Sequence, residues 1–369
     1  MEVAICEEHL LLADVEQFLR KYVVLPTRTA LPLALWTLMT YIFDVFDAVP
    51  YLAITSPAPR CGKTRLLEVL ELIVSTPRRA SNISEAALFR MIEKLAPTLL
   101  LDEAETLGGK SERAEYLRQI INAGNRRGAV TTRCIGQGTN QDARDFSVFC
   151  PKVLAGIGSF PTTITDRSIV ISMQRRKNSE PVARFLYRKA NPEGQELTAR
   201  AETVVAASRE QISAAYQKVD LDFLSDRDAE AWSPLFAILT VAHPERLMEL
   251  RACAEHLTGA KALNAEDDSL SLRLLADIRQ VWPESEYRIP TAELLSRLRS
   301  LEDAPWSEEV PLNPRKLSRM LKPFGIAPAG TVRVGPNTAK GYWREEAETA
   351  FARYLVPETP EPSHGSQPV

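Results

Sequence analysis

Cysteine is scarce in this chain and never paired. Cys6, Cys61, Cys134, Cys150 and Cys253 are scattered, odd in number and without a CxxC spacing. That argues against a disulfide frame or a zinc site and for free thiols in a reducing cytoplasm. The four histidines, His9, His243, His256 and His364, lack ligand spacing as well. Long apolar runs are missing: residues 30–43 (ALPLALWTLMTYIF) end at Asp44, well short of the roughly 20 residues a bilayer demands. Pro32, Asp44 and Asp47 instead favour a helix buried against a sheet, so no membrane partner is expected. The opening MEVAICEEHLL is acidic and has no basic start, so no secretory signal is expected. There is no internal repeat, and no arrangement typical of a serine hydrolase, a thiol protease or a two-carboxylate glycosidase. What remains is ordinary globular composition, 45% apolar and 25% charged, in a chain of 369 residues with room for two or three cores.

Against that background one stretch stands out. The apolar run Tyr51–Thr55 is followed by Ser56-Pro57-Ala58-Pro59-Arg60-Cys61-Gly62-Lys63-Thr64, then by a helical pattern through Leu66, Leu67, Val69 and Leu70. A strand, a tight loop and a helix entered at Gly-Lys-Thr wrap backbone N–H groups around a triphosphate, helped by the positive end of the helix. Pro59, Arg60, Cys61, Gly62, Lys63, Thr64 and Arg65 form the expected nucleotide cradle. Lys63 would reach the outer phosphates and the Thr64 hydroxyl would bind Mg²⁺. Pro57 stands where the usual loop begins with glycine, which makes this loop stiff. The alternative is a chance Gly-Lys-Thr at a strand–helix turn.

A second motif favours the nucleotide reading. Thr98–Leu101 is a short apolar run that delivers Asp102 and Glu103. Asp102 would hold the Mg²⁺ shell and Glu103 would polarise the attacking water; otherwise paired acids after a strand are a solvated turn. The apolar stretch from Phe146 to Gly158 reads as the next core strand or strand pair. Ser159 at its end is the candidate sensor of the terminal phosphate. Arg167 precedes the β-like run 168–173 and is placed to act as an arginine finger on a neighbouring subunit. The alternative is a surface arginine paired to Asp166. Arg175 and Arg176 are weaker candidates.

With these motifs, residues 117–128 (LRQIINAGNRRG), 131–134 (TTRC) and 226–237 (DRDAEAWSPLFA) resemble a family of bacterial, prophage and mobile-element P-loop ATPases of unknown function. Its members are often found with primase or replication genes, and the likeness covers about residues 30–255. It implies an α/β P-loop NTPase of the additional-strand type, distantly AAA+/helicase-like, with a three-layer core and a helical lid. It further implies ATP and Mg²⁺ as cofactors and self-association into a ring or other oligomer, with a primase or replication protein as partner. Asn122, Asn125, Arg126 and Arg127 would line a pore or subunit interface, or simply cap a helix. Arg227 would be a lid arginine contacting the nucleotide.

The expected organisation is an N-terminal helix (1–28, helical from Leu10 to Tyr22), an ATPase core (29–177), a helical lid (178–258) and a polar linker (259–268). A further module (269–355) and a disordered Pro-, Glu- and Ser-rich tail (356–369) complete it. Residues 270–281, 290–301 and 313–322 read as three short helices, the last opened by Asn313 and Pro314. The β-like 331–334 and 341–343 follow, in the order of a winged helix. Although the net charge is −3, no acid lies between Pro311 and Arg344. Arg315, Lys316, Arg319 and Lys322 on the third helix, with Arg333 and Lys340 on the wing, are the expected DNA contacts. Such modules also bind proteins. No aromatic platform for single strands is expected, because Tyr342 and Trp343 read as core residues. The sequence therefore points to an ATP-hydrolysing, DNA-associated ATPase, helicase-like, serving replication of a mobile element. The alternatives are an ATP-dependent DNA-binding switch or initiator without unwinding, and a protein-remodelling or defence ATPase.

Overall fold

The computed structural model describes residues 2–79, 85–102, 104, 112–137, 140–177, 179–301, 304–306, 310–334 and 337–355. Within these, the side chains of 2–10, 85–86, 112–116, 134–137, 140–141, 263–269, 330–334, 337–338 and 353 lie outside the description. The chain divides into two compact units, residues 1–262 and 263–369.

In the first unit, helices α1 (Glu2–Tyr22) and α2 (Ala30–Met39) precede strand β1 (Tyr51–Ser56), and α3 (Lys63–Glu71) follows it. Next come β2 (Pro77–Arg79), α4 (Glu85–Leu95), β3 (Thr98–Leu101) and α5 (Glu112–Ala123). The paired strands β4 (Val130–Gln137) and β5 (Asn140–Ser147) lead to β6 (Lys152–Ile157), the single turn α6 (Thr162–Thr165) and β7 (Ser168–Ser172). Helices α7 (Tyr187–Ala207), α8 (Arg209–Tyr216), α9 (Asp226–Ala242) and the first half of α10 (Leu247–Val281) complete it, the rest of α10 belonging to the second unit.

β1, β2, β3, β6 and β7 form a sheet in the order β2-β3-β6-β1-β7, with every pairing parallel. β1, β3 and β6 read as largely apolar runs because both faces are covered, whereas the edge strand β2 (Pro77-Arg78-Arg79) is polar and mostly exposed. Successive β1 residues serve different cores, as alternate strand residues must. Leu52 and Ile54 pack with α1, α2, α3, α7 and α9, while Tyr51 and Ala53 pack with α4 and α5. Mixed α/β architecture with a parallel central sheet is thus established. All ten residues of α2 are buried, which accounts for its apolar run. No helix among the described residues is long and apolar enough to cross a membrane. α1 begins earlier than the expected Leu10 and shares one core with the sheet and with α7–α9.

The division between the units falls inside the expected linker at 259–268, but those residues are helical and lie within α10 (Leu247–Val281). GAKALNAEDD contains one glycine and no proline, and its other residues tolerate or favour helix. β4 and β5 are also unforeseen. They form a separate antiparallel ladder from Val130↔Ser147 to Gln137↔Asn140, so Phe146 ends the hairpin instead of opening a core strand.

The second unit holds β8 (Arg288–Pro290), α11 (Thr291–Arg299), α12 (Pro314–Leu321), β9 (Ala329–Val334), β10 (Asn337–Trp343) and α13 (Arg344–Tyr354). Its antiparallel sheet has the order β8-β10-β9. Leu274, Ile278, Leu294, Leu298, Leu317, Leu321 and Tyr342 make its own core. The Asn313 side chain caps α12 by accepting from the Lys316 N–H at 2.9 Å, with Pro314 in the first turn. A second correction concerns Trp343. Tyr342 is fully buried, but Trp343 faces the other side of its strand and is 41% exposed.

Candidate functional site

Because the sheet is parallel, all its strands end at one edge, and the chain leaves β1 there through residues 57–62. The Ser56 hydroxyl donates to the Ala58 carbonyl at 2.7 Å and closes the first turn. Left-handed backbone falls on Arg60 (φ 63°) and Gly62 (φ 89°), not on Pro57 or Pro59. That explains how the loop tolerates proline: the positions needing positive φ lie elsewhere. Gly62 caps α3 and hands the chain to Lys63. Pro59, Arg60 and Thr64 are exposed, Arg65 and Gly62 half-buried, and Cys61 is a buried free thiol.

Lys63 is buried at 9% exposure, and its ammonium donates to the Ser56 hydroxyl at 2.6 Å. No described carboxylate lies within ion-pair distance of it. Lys152 makes the contrast. Also buried, it donates to the carbonyls of Gly124, Val148 and Cys150, each at 3.0 Å, and lies over the Tyr51 ring. Burial pushes this ammonium below the usual lysine range and raises the adjacent Cys150 thiol. All three Lys152 donors are used by its own fold, whereas Lys63 has donors left for an anion. Sequence reasoning missed Lys152, because its partners belong to α5 and the hairpin.

Asp102 follows β3 at the same sheet edge and is half-buried. Glu103 lies outside the described residues. Ser159 is exposed at the end of β6, where the Gly158 N–H donates to the Ser56 carbonyl at 2.9 Å. The register sets Ser56 beside Ile157, so Ser159 stands next to the loop. Since β6 lies between β1 and β3, the fold brings Lys63, Ser159 and Asp102 to one edge. Thr64 and Asp102 offer hard oxygen donors of the kind Mg²⁺ prefers. Among the described residues there is no cluster of three His, Cys, Asp or Glu.

Arg167 lies at the opposite edge. Its carbonyl accepts from the Tyr51 N–H at 2.9 Å, and its guanidinium donates to the Thr163 carbonyl. The pairing with Asp166 is corrected: Asp166 binds Arg227 instead. This also separates Arg227 from the loop, so it does not sit over its own chain's nucleotide cradle. Arg126 pairs with Glu230 at 2.7 Å, and Arg127 donates to the Phe46 and Asp44 carbonyls. Asn125 is buried and Asn122 exposed. In the second unit, Arg315, Arg319, Lys322 and Lys340 are exposed and Lys316 is half-buried. Arg333 lies in β9 with its side chain outside the description.

Beside the loop is a cavity of about 530 Å³. Arg60, Cys61, Gly62 and Arg65 form one wall, Tyr22 at the end of α1 with Val23 and Val24 another, and Met173, Gln174, Arg176 and residues 182–186 the remainder. The Ala183 N–H donates to the Lys21 carbonyl at 2.9 Å and holds that last segment in place. The Arg65 guanidinium lies 4.3 Å over the Phe185 ring, which meets Tyr22 edge-on at 5.3 Å. Among the described residues no carboxylate lines this cavity, though Arg65 pairs with Glu68 at 2.8 Å. No motif could have announced Tyr22 and Phe185, which are brought together only by folding.

These features define a mixed α/β protein with a left-handed loop, leading to a buried lysine, at the carboxyl edge of a parallel sheet. The model of a family described as "Protein of unknown function (DUF3631)" matches residues 172–354. A Saccharopolyspora erythraea protein described as "Uncharacterized 28.9 kDa protein in xis 5'region" is 32% identical over 191 residues, covering 51% of this chain and 70% of the relative. The chain belongs to the DUF3631 family. The matched segment begins within β7, so the loop and Asp102 fall outside it. Among solved structures the chain is similar to the apo C-terminal region of NrS-1 (15% identity, TM-score 0.31, covering 91% of this chain and 74% of that one). It is also similar to a JCV helicase (10%, 0.26, 66% and 61%) and to Drosophila ORC bound to DNA (12%, 0.25, 95% and 92%). Likenesses this slight carry no functional argument.

Proposed function

We propose that this chain is an ATP-hydrolysing P-loop ATPase that acts on DNA as a helicase-like motor in the replication of a mobile element. The observation that carries the proposal is the buried Lys63 ammonium, with donors unused, at the start of a helix entered through a left-handed loop. Such a site takes the outer phosphates of a nucleotide. Thr64 and Asp102 would hold Mg²⁺, which would neutralise charge on the phosphates, and Glu103 would activate water. Ser159 would sense the terminal phosphate. The cavity beside the loop is of the right character for the nucleoside. Arg167, at the far edge, would serve a neighbouring chain's nucleotide, which requires self-association.

In the second unit the order β8-α11-α12-β9-β10 supports a winged helix. Arg315, Lys316 and Arg319 on α12, with Lys322 just after it and Arg333 and Lys340 on the β9–β10 ladder, would contact duplex phosphates. The relative's place in the xis 5′ region supports a setting on a mobile element, where a primase or replication protein is the expected partner. The helicase-like label rests on the resemblance of the motif residues.

Steady-state ATP hydrolysis without DNA, with single strands and with duplex tests the proposal. Lys63→Ala should lose about 100-fold or more in turnover, a loss typical of removing one transition-state donor. Glu103→Gln should bind ATP without releasing phosphate. Stimulation by DNA without strand separation would favour a switch or initiator. Turnover indifferent to DNA would favour protein remodelling.

A further inference from the structure

Arginine enters the cavity beside residues 57–62 from two sides. Arg60 and Arg65 come from the loop and from α3, whereas Arg176 and Arg184 come from the stretch that follows β7. That stretch is anchored at two points. The Met173 N–H donates to the Thr55 carbonyl at 2.7 Å, shortly before Arg176, and the Ala183 N–H donates to the Lys21 carbonyl at 2.9 Å, next to Arg184.

Its charge is one-sided. Residues 174–189 hold six cations, Arg175, Arg176, Lys177, Arg184, Arg188 and Lys189, against one acid, Glu180, in a chain whose net charge is −3. Among the described residues none of the six has an ion-pair partner, and the Glu180 carboxylate accepts from the Lys177 backbone N–H at 2.8 Å. Two other acids beside the lining residues are engaged. Glu68 pairs with Arg65 at 2.8 Å, and Glu193 pairs with Lys21 at 2.7 Å while accepting from the Tyr22 hydroxyl at 3.4 Å.

A single exposed arginine on a protein surface calls for no ligand. Here two unpaired arginines share a cavity with Tyr22 and Phe185, and no described carboxylate lines it. That absence bears on the ribose. Free ribose hydroxyls are held by a carboxylate that accepts from them, and an arginine in that place holds a phosphate on the ribose instead. The neutral polar side chains that line the cavity are Gln174 and Tyr22, and the Tyr22 hydroxyl already donates to Glu193.

We propose that the cavity takes a nucleotide phosphorylated on its ribose as well as at its 5′ position, with the 5′ phosphates on the loop and the ribose phosphate on Arg176 and Arg184. The proposal rests on residues 57–64 being a phosphate cradle and adds the class of ligand that the rest of the site favours. A guanidinium presents a planar fork that matches two phosphate oxygens. Arg60 and Arg65, on the loop side, are left to the 5′ chain. A 5′-diphosphate of this class fills the loop without a third phosphate to lose, so it excludes ATP and stops turnover.

The full chain, with Mg²⁺ and without DNA, is titrated by calorimetry with ADP, with adenosine 5′-diphosphate 3′-phosphate and with the 2′-phosphate isomer. One isomer should bind about tenfold or more tighter than ADP, and which one it is identifies the hydroxyl that faces the arginines. Arg176→Ala and Arg184→Ala should each lower that ratio, and the double variant should bring it close to one. Lys189→Ala removes an unpaired, exposed cation that does not line the cavity, so the ratio should hold. An equal fall there would reduce the effect to general charge and overturn the proposal. Thermal melts confirm that the variants are folded. ADP binding with neither isomer favoured, or a preference that survives loss of both arginines, would overturn the ribose-phosphate site and leave the loop standing. Failure of the wild type to bind any of the three would overturn both together.

Discussion

Lysine is buried twice in the first unit, and the two ammonium groups have different employment. Lys152 ties the end of α5, the base of the hairpin and the start of β6 through three carbonyls. Gly124 makes room for it: a Cβ there would meet the Val148 carbonyl oxygen at 2.3 Å and the Lys152 Nζ at 2.5 Å. Lys152→Met, which leaves those carbonyls without a donor, should cost about 3 kcal/mol in urea unfolding, and Gly124→Ala a similar amount. Wild-type stability in both would show that the tie is dispensable. At this scale the sequence was a good guide only where chemistry is contiguous. Lys63 and Thr64 announce themselves through their neighbours, and Asp102 through the strand before it. Lys152, Phe185 and Tyr22 do not, because their partners are supplied by distant parts of the chain.

Tyr41 shows how elements are fastened together. It follows α2, and its hydroxyl donates to the Ile73 carbonyl just beyond α3 at 2.7 Å. Burial raises its pKa to about 12, and it moves Tyr51 in the same direction. An unfolded tyrosine loses its proton near 10, so the stability lent by protonated Tyr41 is complete below that pH and disappears as pH rises through about 12. A shift of that size corresponds to about 3 kcal/mol. Urea midpoints at about pH 9 and about pH 11.5 should fall for the wild type, and fall less for Tyr41→Phe; an equal fall in both would reject the assignment. Element reading from sequence succeeded for β1, β3 and α2, whose apolar patterns are strong. At 259–268 the polar stretch does hold the division between the units, but its backbone is helical, because the segment has one glycine and no proline. The reading failed for β4 and β5, whose polar TTRCIGQ and NQDARDFS offer no two-residue alternation. Their mutual pairing holds them extended, with Phe146 packed on Phe89 of α4 at 4.4 Å.

At the scale of the molecule, the parallel sheet sets a distance that no rearrangement of side chains removes. Lys63 and Arg167 sit at opposite ends of strands that are five or six residues long, about 17 Å or more apart. One chain cannot bring both to a single phosphate. If both serve hydrolysis, turnover per chain should fall on dilution, and a mixture of Lys63→Ala and Arg167→Ala chains should recover activity that neither has alone. Turnover independent of concentration, with no recovery on mixing, would return Arg167 to a purely structural place beside Thr163. That Arg167 serves a neighbouring subunit is already the expectation from sequence, but the strand order that sets this distance is not legible there. The motifs announce a strand, a loop and a pair of acids, but strand order depends on long-range pairing that leaves no local mark.

That same pairing sets a timetable for synthesis. β1 has only two strand neighbours, β6 and β7, and both lie about a hundred residues further along the chain. At about 5–20 residues per second, a ribosome that has finished Ser56 needs roughly 6–25 s to reach Ser172. Until β6 has been made, the strand that leads into residues 57–62 has no ladder on either side, and until Ser172 it can have one on one side alone. A nascent chain halted before residue 152 should therefore leave Tyr51–Ser56 open to protease, and one released past residue 172 should close it.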